Sequence, residues 1–214
     1  MKKFVINLDS CPERMEAFDD TWIRWRATPR EEVSEELDKK MVSIWNSPHQ
    51  NHLAKCGCFW SHLTLLKKIA DEKLNDILVV EDDAKQLKEI PVACLREKGF
   101  VYLGGFFLNR KVSKGTWKGD HHSVEGINNA KDKPFVMCGM LAYYISNWEV
   151  AKEIYDEIVS HKRYRAIDMM LPRLSVDLNY YYPGLFLEKK MGSSIRDNKR
   201  NYMTEDYRWR VPAA

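Results

Sequence analysis

Apolar positions along the chain alternate between two rhythms. Short continuous runs occur at Phe4-Val5-Ile6-Asn7-Leu8, Ile77-Leu78-Val79-Val80, Phe100 to Leu103 and Leu141 to Ile145. Runs this short and this apolar predict strands covered on both faces. Between them the spacing turns helical. Pro12 stands at a helix start, and helical character is predicted through Trp22 and Trp25. After Gly57, the series Phe59, Leu63, Leu66 and Ala70 predicts an amphipathic helix to about Asp71. Ser146-Asn147-Trp148-Glu149 matches a capping box that opens a helix with Val150, Ala151, Ile154, Tyr155 and Ile158 inward. A short helix is predicted from Asp168 to Leu174. Met41 to Trp45 reads as a strand closed by Asn46-Ser47-Pro48, and Tyr180 to Leu187 as strand character broken by Pro183-Gly184. Strands alternating with helices predict an α/β fold whose sheet is mixed but mostly parallel, flanked by helices.

Composition narrows the class. The chain has 214 residues, 44% hydrophobic and 30% charged, which suits one folded domain and excludes a disordered chain. No apolar run is long enough to cross a bilayer. Asp9, Glu13 and Arg14 interrupt the apolar stretch behind Met1-Lys2-Lys3, so no secretion signal is read. Five cysteines, an odd number without framework spacing, predict a reducing, cytoplasmic setting. The formal charge of +3 is matched by a C-terminal stretch, Phe186 to Ala214, with seven basic residues against four acidic ones. A folded domain over 1–195 and a basic tail over 196–214 are therefore expected. The tail is either a solvated surface or a peripheral contact for anionic lipid headgroups or a diphosphate. No nucleic-acid-binding motif accompanies it, and nucleic acid is not expected as a partner.

The strongest chemical signal is Glu81-Asp82-Asp83, three acids at the carboxyl end of an apolar strand. Ligands bind beyond such ends in open α/β sheets. Adjacent carboxylates suit a hard divalent ion, Mg²⁺ or Mn²⁺, with positions open to phosphate oxygens. A solvated acidic turn is the alternative. Cys56 and Cys58, flanking Gly57, lack zinc-finger spacing and read as packing residues. Segments around Asp82, Lys133 and Asp168 resemble those of response-regulator receivers. Their order is wrong, because in a receiver the phosphoacceptor precedes the lysine.

A second resemblance respects order over most of the chain. The blocks are Phe4 to Asp9 with Arg14, Gly57-Cys58-Phe59-Trp60-Ser61-His62, Ile77 to Asp83 and Tyr102-Leu103-Gly104-Gly105. Ala142 to Ser146, Ile167-Asp168, Tyr182-Pro183 and Ser193-Ser194-Ile195 follow. Together they resemble the family 25 glycosyltransferases, which include lipooligosaccharide and collagen galactosyltransferases. The resemblance implies a glycosyltransferase A type fold, a UDP-galactose or UDP-glucose donor, an acceptor hydroxyl on a glycan, glycolipid or protein, and inversion at the anomeric carbon. It implies Asp83 as metal ligand with Asp82 as second ligand or support, and Asn7, Leu8, Asp9 and Arg14 along the nucleotide pocket. Arg14 in a salt bridge on the first helix is an equal alternative. Ser61 and His62 are expected in the first turns of their helix, on donor phosphate or the acidic loop; a histidine packed against the sheet is the other reading. Gly104 and Gly105 would let backbone approach the sugar, or simply end a strand. Asp168 is the expected general base, with Asp120, Glu125 and Asp177 in reserve. No histidine follows His161, so Asp197, Ser193, Ser194 or water would complete the metal site. A non-catalytic sugar-binding module and a metal-dependent phosphodiester hydrolase are the rival functions.

Overall fold

The computed structural model describes residues 1–42, 49–109, 124–131, 133 and 135–189. Strand β1 (Lys2–Asn7) is followed by a 3₁₀ turn, Pro12–Ala17, and strand β2 (Trp22–Arg26). Helices α1 (Glu35–Lys40) and α2 (His49–Asp71) lead to β3 (Ile77–Glu81), β4 (Ala84–Gln86) and the single turn α3 (Val92–Leu95). Then come β5 (Phe100–Asn109), β6 (Gly126–Asn129), β7 (Phe135–Ile145) and α4 (Trp148–Ser160). The single turn α5 (Ile167–Met170) and strands β8 (Leu178–Tyr182) and β9 (Phe186–Glu188) complete the described chain.

Seven strands pair in the order β2-β1-β3-β7-β5-β8-β6, and β4 pairs with β9 in a separate ribbon. β1 is parallel to β2 and β3, and β5 to β8; β7 runs against both β3 and β5, and β6 against β8. Five of the seven strands thus share one direction, as expected for a mixed, mostly parallel α/β sheet. The continuous apolar runs follow from burial on both faces. On β3, Ile77 and Val79 enter one core while Leu78 and Val80 enter the other. β1 and β5 divide in the same way, as period-two side chains must. One core lies under α2, α4 and α5; the other takes Leu95 of α3 together with Ala84 and Phe186 of the ribbon.

Four local readings need correction. Trp22–Arg26 is not helix but a parallel strand at the sheet edge. Trp22 and Trp25 are three apart, which mimics a helical face, yet their rings pack against opposite cores. Gly57 does not precede α2 but lies inside it. A Cβ there would stand 2.3 Å from the carbonyl oxygen of Thr28, so the glycine answers close approach rather than a helix start. The cap of α4 is Asn147, whose side chain accepts from the Val150 N–H, and not Ser146. Finally, β7 begins well before Leu141, and β6 lies in a stretch for which no element was expected. Of the strand expected over Met41 to Trp45, Met41 bridges Tyr164, and residues 43–48 lie outside the described residues.

Candidate functional site

Because β1 and β3 are parallel neighbours with Ile6 opposite Glu81, their carboxyl ends meet at one edge of the sheet. Asn7, 1% exposed, closes that edge. Its amide donates to Asp82 Oδ2 at 2.8 Å and to the Cys11 carbonyl at 2.9 Å, and its carbonyl accepts from Arg24 Nε at 2.8 Å. Asp82 Oδ1 accepts from Arg14 Nη1 at 2.9 Å, with both side chains 11% exposed. Both oxygens of Asp82 are therefore engaged by protein groups. Asp9 is held outside this knot by Arg24 and Arg26, which also pairs with Glu32. These arginines keep the Asp9 carboxyl below its ordinary range. Leu8 packs against the core beneath.

Asp83 is placed differently. Its carbonyl accepts from the Lys189 N–H at 2.7 Å, joining the acidic turn to the end of β9. Its Oδ1 is buried and finds no hydrogen-bond partner among the described residues. Burial, then the charges of Glu81, Glu188 and Asp82, push this carboxyl up to about 8, with Arg14 opposing. A buried, unpaired carboxylate oxygen among other acids is costly as an anion unless a cation joins it. The donor set is all oxygen and suits Mg²⁺ or Mn²⁺. A divalent ion here would find one carboxylate, Asp83, while Asp82 would brace the turn; Asp83 is in neither group of three converging His, Cys, Asp or Glu ligands among the described residues.

Glu81 turns toward α2. Its Oε1 is 3.3 Å from His62 Nε2 and 3.8 Å from Cys58 Sγ, and His62 Nδ1 is 3.1 Å from the Tyr143 hydroxyl on β7. His62 is wholly buried, well along α2 rather than near its amino end. His62 therefore lies outside the first turns of its helix, packed between helix and sheet, where it reaches Glu81 of the acidic segment. Ser61 is likewise buried, donating to the Gly57 carbonyl at 2.7 Å and accepting from the Thr28 N–H at 2.8 Å. Gly104 and Gly105 serve the sheet. A Cβ on Gly104 would lie 3.0 Å from Phe186, and one on Gly105, where φ is +140°, 2.5 Å from the Cys138 carbonyl beside a register shift between β5 and β7.

Asp168 opens α5, and its Oδ2 accepts from the Gly139 N–H of β7 at 3.1 Å. Burial raises its pKa; the Gly139 bond opposes that, and the negative charge of Glu81 adds to it. Burial, then the charges of Glu81, Asp168 and Asp83, push the Cys58 thiol well up. The Tyr102 hydroxyl in the same electrostatic neighbourhood is buried without a partner among the described residues. Sequence reasoning gave Cys58 and Tyr102 no site role, although Cys58 and His62 are one helical turn apart. Glu125 and Asp177 are exposed; Asp120, Ser193, Ser194, Asp197 and the tail over 196–214 lie outside the described residues. All five cysteines are free thiols. Among the described residues no helix is long and apolar enough to cross a membrane.

Comparison with known proteins places this arrangement. The model of Glycosyltransferase family 25 (LPS biosynthesis protein) matches residues 1–171. No curated protein matches the chain. Among solved structures, the nucleoside-diphosphate-sugar pyrophosphorylase from Vibrio cholerae RC9 is similar over 84% of this chain and 72% of that one, at 11% identity and a TM-score of 0.32. Likeness at that level carries no argument about activity.

Proposed function

The chain belongs to glycosyltransferase family 25, and from that premise we propose that it moves a hexose, galactose or glucose, from a UDP-sugar to an acceptor hydroxyl with inversion. The observation that carries the metal-dependent form of this reading is the buried, unpartnered Oδ1 of Asp83 amid Glu81, Asp82 and Glu188. A Mg²⁺ or Mn²⁺ ion held by Asp83 would supply Lewis-acid stabilisation of the departing diphosphate. The protein's own part is to orient and to move a proton. Asn7 and Arg14 fix Asp82, and through it the turn that aims Asp83. Arg14 is thus assigned to the turn, and Asn7, Leu8 and Asp9 to the wall beside the nucleotide rather than to direct contacts.

Asp168 is the base in this proposal. Burial raises its proton affinity, which makes the ionised carboxylate a stronger acceptor for the hydroxyl proton. In the displacement the acceptor oxygen bonds to the anomeric carbon, the carbon–oxygen bond to UDP breaks with its electron pair leaving on UDP, and the acceptor proton passes to Asp168. The glycosyltransferase A type fold, a cytoplasmic setting, a glycan, glycolipid or protein acceptor, and a tail resting on a membrane surface are parts of the same proposal.

A thermal-shift experiment tests the donor site without knowledge of the acceptor. UDP with Mn²⁺, near 100 times its Kd, adds about 2.7 kcal/mol. That raises the melting temperature by roughly 5–10 °C, and either component alone does much less. No shift with any UDP compound would overturn the donor assignment. Binding without UDP release in the presence of acceptors would leave a non-catalytic module, and UDP-sugar cleavage without acceptor a hydrolase. The anomeric configuration of the product, read by proton NMR, tests inversion.

A further inference from the structure

A second group of potential ligands lies apart from the acidic turn, where α1 meets the early turns of α2. His52 and Cys56 are one helical turn apart on α2 and project from the same face. Asp38 of α1 faces them, with His52 Nε2 3.0 Å from Asp38 Oδ1. A ring nitrogen of His52, Cys56 Sγ and an Asp38 oxygen all lie within 4.8 Å of one another. Cys56 is fully buried, His52 nearly so, and the Asp38 side chain is 28% exposed. We propose that Asp38, His52 and Cys56 bind a zinc ion, with water from the Asp38 side as fourth ligand, and that this ion clips α1 to α2.

The donor set distinguishes this site from the acidic turn. Thiolate and imidazole favour a borderline ion such as Zn²⁺, whereas an all-oxygen set favours Mg²⁺ or Mn²⁺. A tetrahedral ion with bonds of about 2.0–2.3 Å sets its ligands roughly 3.3–3.8 Å apart, so small side-chain rotations suffice. The balance is simple: Zn²⁺ replaces the proton on Cys56 Sγ, which passes to solvent, and His52 coordinates as neutral imidazole. Burial, then the Asp38 charge, holds the metal-free thiol up at about 11, so zinc affinity rises with pH. The clip would set the start of the helix that carries Cys58 and His62 to the sheet edge.

The test uses the full chain stripped with EDTA. Zinc is titrated against a chromophoric chelator, and cobalt substitution reads the thiolate-to-metal charge-transfer band. One equivalent of zinc and a cobalt band are expected. Asp38→Asn should weaken zinc binding at least about tenfold, and Cys56→Ser should remove the band. Cys58→Ser and Asp83→Ala should leave both unchanged, which separates this site from the Cys58–His62–Glu81 group and from the acidic turn. Asp38 is partly exposed, so its variant stays informative should Cys56→Ser fail to fold. Failure of wild-type protein to compete for zinc overturns the proposal. So does a cobalt band that survives Cys56→Ser and disappears with Cys58→Ser.

Discussion

Asp82 and Asp83 are adjacent in the chain and opposite in circumstance. Asp82 has a partner on each oxygen, Asn7 on one and Arg14 on the other. Asp83 has a buried oxygen with no partner among the described residues, and a proton affinity raised by burial and by other acids. The same residue type is a structural tie in one position and, in the next, a buried acid that we propose as a metal ligand. What decides between them is placement at the strand end, where Asp82 meets Asn7 of β1 and Arg14 of the first 3₁₀ turn and Asp83 is buried among other acids.

The largest effect should come from the far side of the unsatisfied region. Asp168→Asn keeps the shape but removes the proton acceptor, so kcat should fall roughly 10²–10⁴-fold with UDP affinity nearly unchanged. Equal loss of UDP binding would make Asp168 a donor-site residue. Asp83→Ala should lower transfer about 10²–10³-fold, the worth of several kcal/mol of lost Lewis acid. The metal-free protein should be no less stable, and retention of most of the turnover would remove Asp83 from the metal site. Asp82→Ala should invert that pattern. It removes the charge-assisted bonds from Arg14 and Asn7 and should cost about 1.5–3 kcal/mol in urea unfolding, whereas a neutral result would show that the tie does not matter.

The effect with the smallest single step is a pH dependence. Unfolded Asp83 ionises near about 4, but in the folded chain near about 8. Between these values the metal-free folded state holds the extra proton. The stability Asp83 contributes is therefore full below about pH 4 and is lost as pH rises toward about 8. Metal needs the ionised form, so Mn²⁺ affinity should climb up to about tenfold per pH unit and level off near pH 8. Asp83→Asn should flatten that slope in thermal-shift titrations; an unchanged slope would assign it to another group.

The sheet was legible where burial on both faces leaves unbroken apolar runs, as at Ile77–Glu81 and Leu141 to Ile145. It was illegible where a strand lies at an edge with no fully buried residue, as at Trp22–Arg26, or where polar residues pair, as at Gly126–Asn129. The acidic turn could be singled out by type and placement, and Asp168 through the family resemblance. That Asn7, Ser61 and His62 would each be satisfied by protein partners could not, because Asp82, Thr28 and Tyr143 are brought to them from distant parts of the chain. Gly104 and Gly105 looked like donor contacts for the same reason: the atoms that exclude a Cβ belong to Phe186 and Cys138.

The position of β7 between β3 and β5 bears on synthesis as well as on shape. The N-terminal strands β2, β1 and β3 leave the ribosome with one flank unpaired, and β5 follows with no neighbour to bridge the gap. Only when residues 135–145 emerge can β5 be joined to β3, and β6 must wait further for β8. β7 also brings Tyr143 to His62 and the Gly139 N–H to Asp168. Pairings so far apart in sequence form slowly and leave edges open to misassociation meanwhile. A nascent chain that stops before β7 would thus present a three-stranded half-sheet and an unpaired β5, with Asp168 not yet made and no assembled carboxylate site.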